Sequence, residues 1–98
     1  MRDLRFEWDV EKNRANQRKH GVSFEEAQTV FLDDDALLID DPEHSDKEDR
    51  FVLLGLSTSL RILLICHCYR SSQDVIRIIS ARKADPTERR TYNGRRRR

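Results

Sequence analysis

Two long β-prone runs joined by a polar tetrapeptide constrain this chain more than any other feature. Leu60–Lys83 reads LRILLICHCYRSSQDVIRIISARK. Ile62–Tyr69 and Val75–Ser80 are bulky and apolar, and Ser71-Ser72-Gln73-Asp74 between them supplies turn residues. The segment therefore predicts a β-hairpin at the centre of a sheet. Alternation sorts the side chains. In the first run Arg61, Leu63, Ile65, His67 and Tyr69 point one way, and Ile62, Leu64, Cys66, Cys68 and Arg70 the other. In the second, Val75, Arg77, Ile79 and Ala81 oppose Ile76, Ile78, Ser80 and Arg82. One face is expected to be core. The other, apolar but studded with titratable and cationic groups such as Arg61, His67, Tyr69 and Arg77, is the functional candidate.

A chain of 98 residues suits one domain with a modest core. It has no apolar run of membrane-spanning length, and MRDLRFEWD has no apolar signal region, so a cytoplasmic location is expected. Cys66 and Cys68 lie two apart on one strand, where a disulfide is badly strained. No further ligand spacing accompanies them, so buried thiols are the better reading. The net charge of +1 conceals a split. Residues 32–50 hold nine acids against Lys47 and Arg50, while residues 61–98 hold eleven bases against Asp74, Asp85 and Glu88. Such asymmetry fits a polyanion partner, or two surfaces whose signs pair with each other.

Phe6-Glu7-Trp8 reads as a short edge strand. Asp9 caps a helix over Val10–His20 that Gly21 ends. Val10 and Ala15 are its only apolar residues, so it must dock through polar contacts or through the stems of Arg14, Arg18 and Lys19. Ser23 and Glu26 form a capping box ahead of the stripe Phe24, Ala27, Val30 and Phe31. Ala36–Asp40 and Asp49–Ser57 read as strands around an acidic loop, Asp41–Glu48, whose spacing fits no calcium loop. Leu56–Leu60 is a tight link. Asp85-Pro86-Thr87-Glu88 opens a last helix that Gly94 is expected to stop, giving a domain over 1–94 and a basic tail over 95–98. The order β-α-α-β-β-β-β-α is an α+β arrangement, with the first two helices on one face of a mostly antiparallel sheet.

Three segments, FEWDVEKNRANQRKHGVSFEEAQTVF, DPEHSDKEDRFVLLG and VIRIISARKADPTERRTY, together resemble the BrnT toxins of bacterial type II toxin–antitoxin modules. The most specific pieces are Lys19-His20-Gly21-Val22-Ser23-Phe24 and Ile78-Ile79-Ser80-Ala81-Arg82. The resemblance runs from Phe6 to Tyr92. It implies a RelE-like fold, ribonuclease activity that inhibits translation and growth, and neutralisation by a cognate BrnA-type antitoxin. That antitoxin would carry the DNA-binding domain through which the complex reaches its operator.

Cleaving RNA without a metal or other cofactor needs a base, an acid and fixed positive charge on the phosphorane. On this reading Arg77, Arg82 and Arg89 hold phosphates, with Arg82 foremost. His67 handles a proton, with Tyr92 or Lys83 as a second participant. Arg61, Arg90, Lys19 and His20 are further RNA-binding candidates. Strict alternation points Arg77 and Arg82 to opposite faces; a bend or bulge where the strand ends would reconcile them, and otherwise one of the two is a structural arginine. Each has a plainer role open to it: His67 as a hydrogen-bonded core residue, Lys19 and His20 as complements to a helix dipole, Arg77 as the partner of an acid. The competing functional class is a non-catalytic module that binds nucleic acid or an acidic protein through its basic surface.

Overall fold

Apolar alternation, helix caps and one bulge together account for the architecture. In the computed structural model, residues 4–40, 50–70 and 74–96 are described. The elements are β1 (Arg5–Glu7), α1 (Val10–His20), α2 (Phe24–Thr29) with a 3-10 turn at Val30–Leu32, β2 (Leu37–Asp40), β3 (Arg50–Leu56), β4 (Ile62–Arg70), β5 (Val75–Lys83) and α3 (Pro86–Arg96). The sheet order is β1-β5-β4-β3-β2. Pairing is antiparallel except that β1 lies parallel to β5. The expected α+β fold is what forms. The residues of the hairpin turn, 71–73, and of the acidic loop from Asp41, including His44, lie outside the described residues.

The caps follow their chemistry. Asp9 Oδ1 accepts from the amides of Glu11 and Lys12, and Gly21 ends α1 at φ 70°. Ser23 Oγ accepts from the Glu26 amide. Glu26 itself does not complete the box, because Arg61 and Ser57 claim its carboxylate. At α3 the box is complete: Asp85 Oδ1 accepts from the Glu88 amide and Glu88 Oε1 from the Asp85 amide. The expected stop at Gly94 does not occur. Gly94 stays out of the left-handed region, and Arg95 Nε donates to Asp35 O, which ties the last turn down.

One sheet face is sheathed by the first two helices. Leu53, Leu63, Ile65, Ile78 and Ala81 pack there against Val22, Phe24, Ala27 and Val30. The polar α1 docks through two buried asparagines. Asn16 Nδ2 donates to Val22 O and Ala81 O, and its Oδ1 accepts from the Ala81 amide. Asn13 Oδ1 accepts from the Phe24 amide. Those bonds replace the apolar stripe that the helix lacks. On the other face α3 covers one corner, where Tyr92 and Ala84 pack with Leu54, Leu37, Leu56, Ile62 and Leu64. Tyr92 Oη donates to Asp33 Oδ2 at 2.6 Å, latching the helix to the turn before β2.

Candidate nucleic-acid interface

Which face is open follows from the register. Cys66 pairs with Ser80 but His67 pairs with Ile78, so Ile79 is the extra residue of a bulge. The bulge lies between Arg77 and Arg82 and resets alternation there. Arg77 then pairs with Cys68 and Arg82 with Leu64, so both stand on the face of Ile62, Leu64, Cys66, Cys68 and Arg70. Arg50 joins them, since it also pairs with Cys68. The difficulty posed by strict alternation is thereby removed, by a bulge inside the strand rather than at its end.

The face expected to be functional is instead the covered one. His67 is fully buried, with its ring edge-on to Phe31 at 4.9 Å and to Tyr69 at 5.4 Å. Its Nδ1 lies 3.3 Å from Ile65 O, which can only accept, so the neutral ring carries its proton on Nδ1. Nε2 has no partner among the described residues. Burial pushes the imidazole down to about 4, so at neutral pH it is uncharged and closed off from any substrate. Helices α1 and α2 pack on this side because the small and aromatic residues around Phe24 and Ala27 match Leu63 and Ile65; alternation alone does not say which side they take.

Other expected site residues disperse. Arg61 is on the His67 side. It is held by Glu26, with Nε to Oε2 at 3.0 Å and a second bond from Nη2 to Oε1, and Nη2 also reaches Gly21 O. That pairing holds the Glu26 carboxyl below its usual range. Lys83 pairs with Leu63, on the same side, and is exposed. Lys19 is exposed and His20 half-buried at the end of α1. Tyr92 is buried and committed to Asp33; burial and that carboxylate push its hydroxyl up to about 12. Arg89 is exposed on α3, with Nη1 on Ala84 O, and Arg90 Nη2 donates to Thr87 Oγ1. None of these joins Arg77.

What does gather on the open face is a set of guanidinium groups with carboxylate partners. Arg77 Nη1 donates to Glu7 Oε2 at 2.9 Å, and Arg70 Nη1 lies 3.8 Å from the same oxygen. Arg82 forks onto Glu88, at 2.8 and 3.0 Å. The fork lowers the Glu88 carboxyl and raises the guanidinium. Side chains of Arg70, Arg77 and Arg82 are 55%, 33% and 40% exposed, so solvent and ligand reach all three. Arg77 and Arg82 are roughly 13 Å apart along the strand at about 3.3 Å per residue, with one residue lost to the bulge. Their guanidinium groups turn to different carboxylates, Glu7 and Glu88. Sequence reasoning missed Glu7, which arrives through parallel pairing from 70 residues away. It also passed over Arg70, whose parity with Cys66 and Cys68 was the available signal. Among the described residues no cluster of His, Cys, Asp and Glu is arranged to hold a metal, and Cys66 and Cys68 form no disulfide.

Fold and face together define a small α+β domain with one sheet side sheathed by helices and the other lined with arginines. The family model described as "Ribonuclease toxin, BrnT, of type II toxin-antitoxin system" matches residues 8–88, and the chain belongs to that family. An RNA substrate and a protein antitoxin go with that membership. Among solved structures, the crystal structure of the Brucella abortus ribonuclease toxin, BrnT, superposes with a TM-score of 0.65. It is 23% identical, and the match covers 84% of this chain and 97% of that one, which supports the fold. Comparison with curated proteins yields no significant match. No helix among the described residues is long and apolar enough to cross a membrane.

Proposed function

We propose that this chain is a metal-independent endoribonuclease toxin that binds RNA along the open sheet face. On that face Arg77 and Arg82 hold separate phosphates and Arg70 assists Arg77. One observation carries the reading: the bulge at Ile79 brings Arg77 and Arg82 onto the one sheet face that α1 and α2 leave uncovered. Arginine suits this use because its guanidinium stays charged and forks onto paired oxygens.

Each arginine already meets a carboxylate, and that pairing has a chemical use. An arriving phosphate competes with Glu7 for Arg77 and leaves the carboxylate beside the bound strand. Glu7 then accepts the proton of a ribose 2′-hydroxyl, whose oxygen attacks the adjacent phosphorus. Arg77 and Arg70 neutralise the extra charge on the phosphorane, and the 5′-oxygen leaves with a proton from solvent. His67 and Tyr92 act through packing on this reading, and the growth-inhibiting activity is neutralised by a BrnA-type antitoxin that carries the operator-binding domain.

The test is cleavage of RNA by the purified chain in EDTA. Arg77→Ala and Glu7→Gln are expected to lose about a hundredfold or more in rate, as removal of one preorganised charge typically does, while retaining the melting temperature to within a few degrees. Cleavage that needs a divalent cation sinks metal independence. Undiminished cleavage by both variants moves the centre elsewhere, and salt-sensitive RNA binding without cleavage marks a binding module instead.

A further inference from the structure

Register divides the open sheet face into three rows. Nearest α3, Leu37, Leu54 and Leu64 stand abreast with Arg82, and α3 packs on the leucines. At the other end Arg50, Cys68, Arg77 and Glu7 stand abreast. Between them lies a row of Ile39, Val52, Cys66 and Ser80 on four adjacent strands. None of these four belongs to either core cluster, and neither does the bulged Ile79 beside them. Ile39 is 45% exposed, Ser80 is exposed, and Val52, Cys66 and Ile79 are half-buried. The row carries no charged side chain. Rows are two residues apart along a strand, about 6.6 Å, so the middle one lies halfway between those of Arg82 and Arg77.

A neutral strip with a guanidinium group toward each end matches a nucleic-acid strand, whose uncharged bases lie between anionic phosphates. We infer that Val52, Cys66 and Ser80, with Ile79 beside them, form a nucleobase subsite. A base of the strand that spans Arg77 and Arg82 lies on this row, a step that deepens the ribonuclease reading and rests on it for the choice of a nucleic acid. Aliphatic carbon and sulfur take up the face of a base by apolar burial. The Ser80 hydroxyl, able both to donate and to accept, stands exposed where it can meet a base edge. A polypeptide fits less well. Strands β3, β4 and β5 each have a neighbour on both sides, so the row offers no edge for strand addition. The bulge at Ile79 serves the same end, because it turns Arg77, Ser80 and Arg82 to one face.

The test uses the full chain and two single strands that lack the attacking hydroxyl, an oligodeoxyadenylate and a fully abasic deoxyribose-phosphate strand of equal length and charge. Both should bind through their phosphates, and amide NMR should show shifts at Arg77 and Arg82 with either. Only the adenylate strand is expected to shift Val52, Cys66 and Ser80, and it should bind about tenfold more tightly, about 1.4 kcal/mol. Val52→Asn, neutral and close in size, should bring that ratio toward one and leave the affinity for the abasic strand unchanged. Ser80→Ala, at an exposed position, should lower the ratio in the same direction even where Val52→Asn fails to fold. Equal affinity for the two strands, binding of neither, or shifts confined to the arginines overturns the inference. So does a peptide alternating glutamate and valine that shifts Val52 and Ser80 as strongly as the adenylate does, which would give the row to a polypeptide. Cleavage is read separately on RNA. A chain that shows the base-dependent ratio and cuts nothing ends the ribonuclease reading and leaves the subsite in place.

Discussion

Two buried polar residues do opposite things in this molecule. Asn16 satisfies three backbone groups at once, the carbonyls of Val22 and Ala81 and the Ala81 amide. Asn16→Ala strands them in the core and is expected to cost about 2–4 kcal/mol, read as a lowered midpoint in urea unfolding. Asn16→Leu should be no better, since volume is not what is lost. His67 sits in an aromatic box, and its Nε2 has no partner among the described residues. Its folded pKa of about 4 lies below the unfolded value near 6.5, so the unfolded chain binds more protons between them. Stability is therefore complete above about pH 6.5 and falls as pH drops toward 4, by about 3 kcal/mol in total from this group. His67→Phe should remove that slope and leave RNA cleavage unchanged. Lost cleavage with intact folding in His67→Phe would return the imidazole to the chemistry.

At the scale of elements, much was legible because caps and turns are local. Asp9 and Gly21 bracket α1, Ser23 opens α2, and Asp85 with Glu88 opens α3, all as residue chemistry requires. What sequence did not disclose depends on partners far along the chain. The side that α1 and α2 cover, the parallel pairing of Arg5–Glu7 with Val75–Arg77, and the bulge at Ile79 are all tertiary choices. Gly94 shows the same limit: a stop signal was overridden by a tether from Arg95 to Asp35. Two substitutions test element geometry. A Cβ on Gly55 would stand 2.9 Å from both Ala36 Cβ and Val30 Cγ1, so β3 approaches the 3-10 turn too closely for any side chain. Gly55→Ala is expected to destabilise by about 1–3 kcal/mol through overpacking. Leu60 holds φ 64° in the link before β4 with its side chain 78% exposed. Leu60→Asn should stabilise by about 0.5–1 kcal/mol, because Asn tolerates that backbone region better. Unfolding midpoints decide both.

For the whole molecule, the question is whether its arginines act as one clamp or as a track. Arg77 turns to Glu7 near β1, Arg82 to Glu88 on α3, and Arg89 to the Ala84 carbonyl. A track makes a distinct quantitative prediction. Each phosphate held by a separate cation releases its own counterions, so the logarithm of the binding constant falls with the logarithm of salt by about 0.7 per contact on a single strand. Binding of a 2′-deoxy analogue, which lacks the attacking hydroxyl, isolates this term from cleavage. Arg77→Ala and Arg82→Ala are each expected to reduce the slope by about 0.7, and the double variant by the sum, because sites this far apart with no shared partner behave additively. A double variant no weaker than either single one would mean that both guanidinium groups serve one phosphate. The separation imposed by Ile79 and the two carboxylates would then have to close when nucleic acid binds.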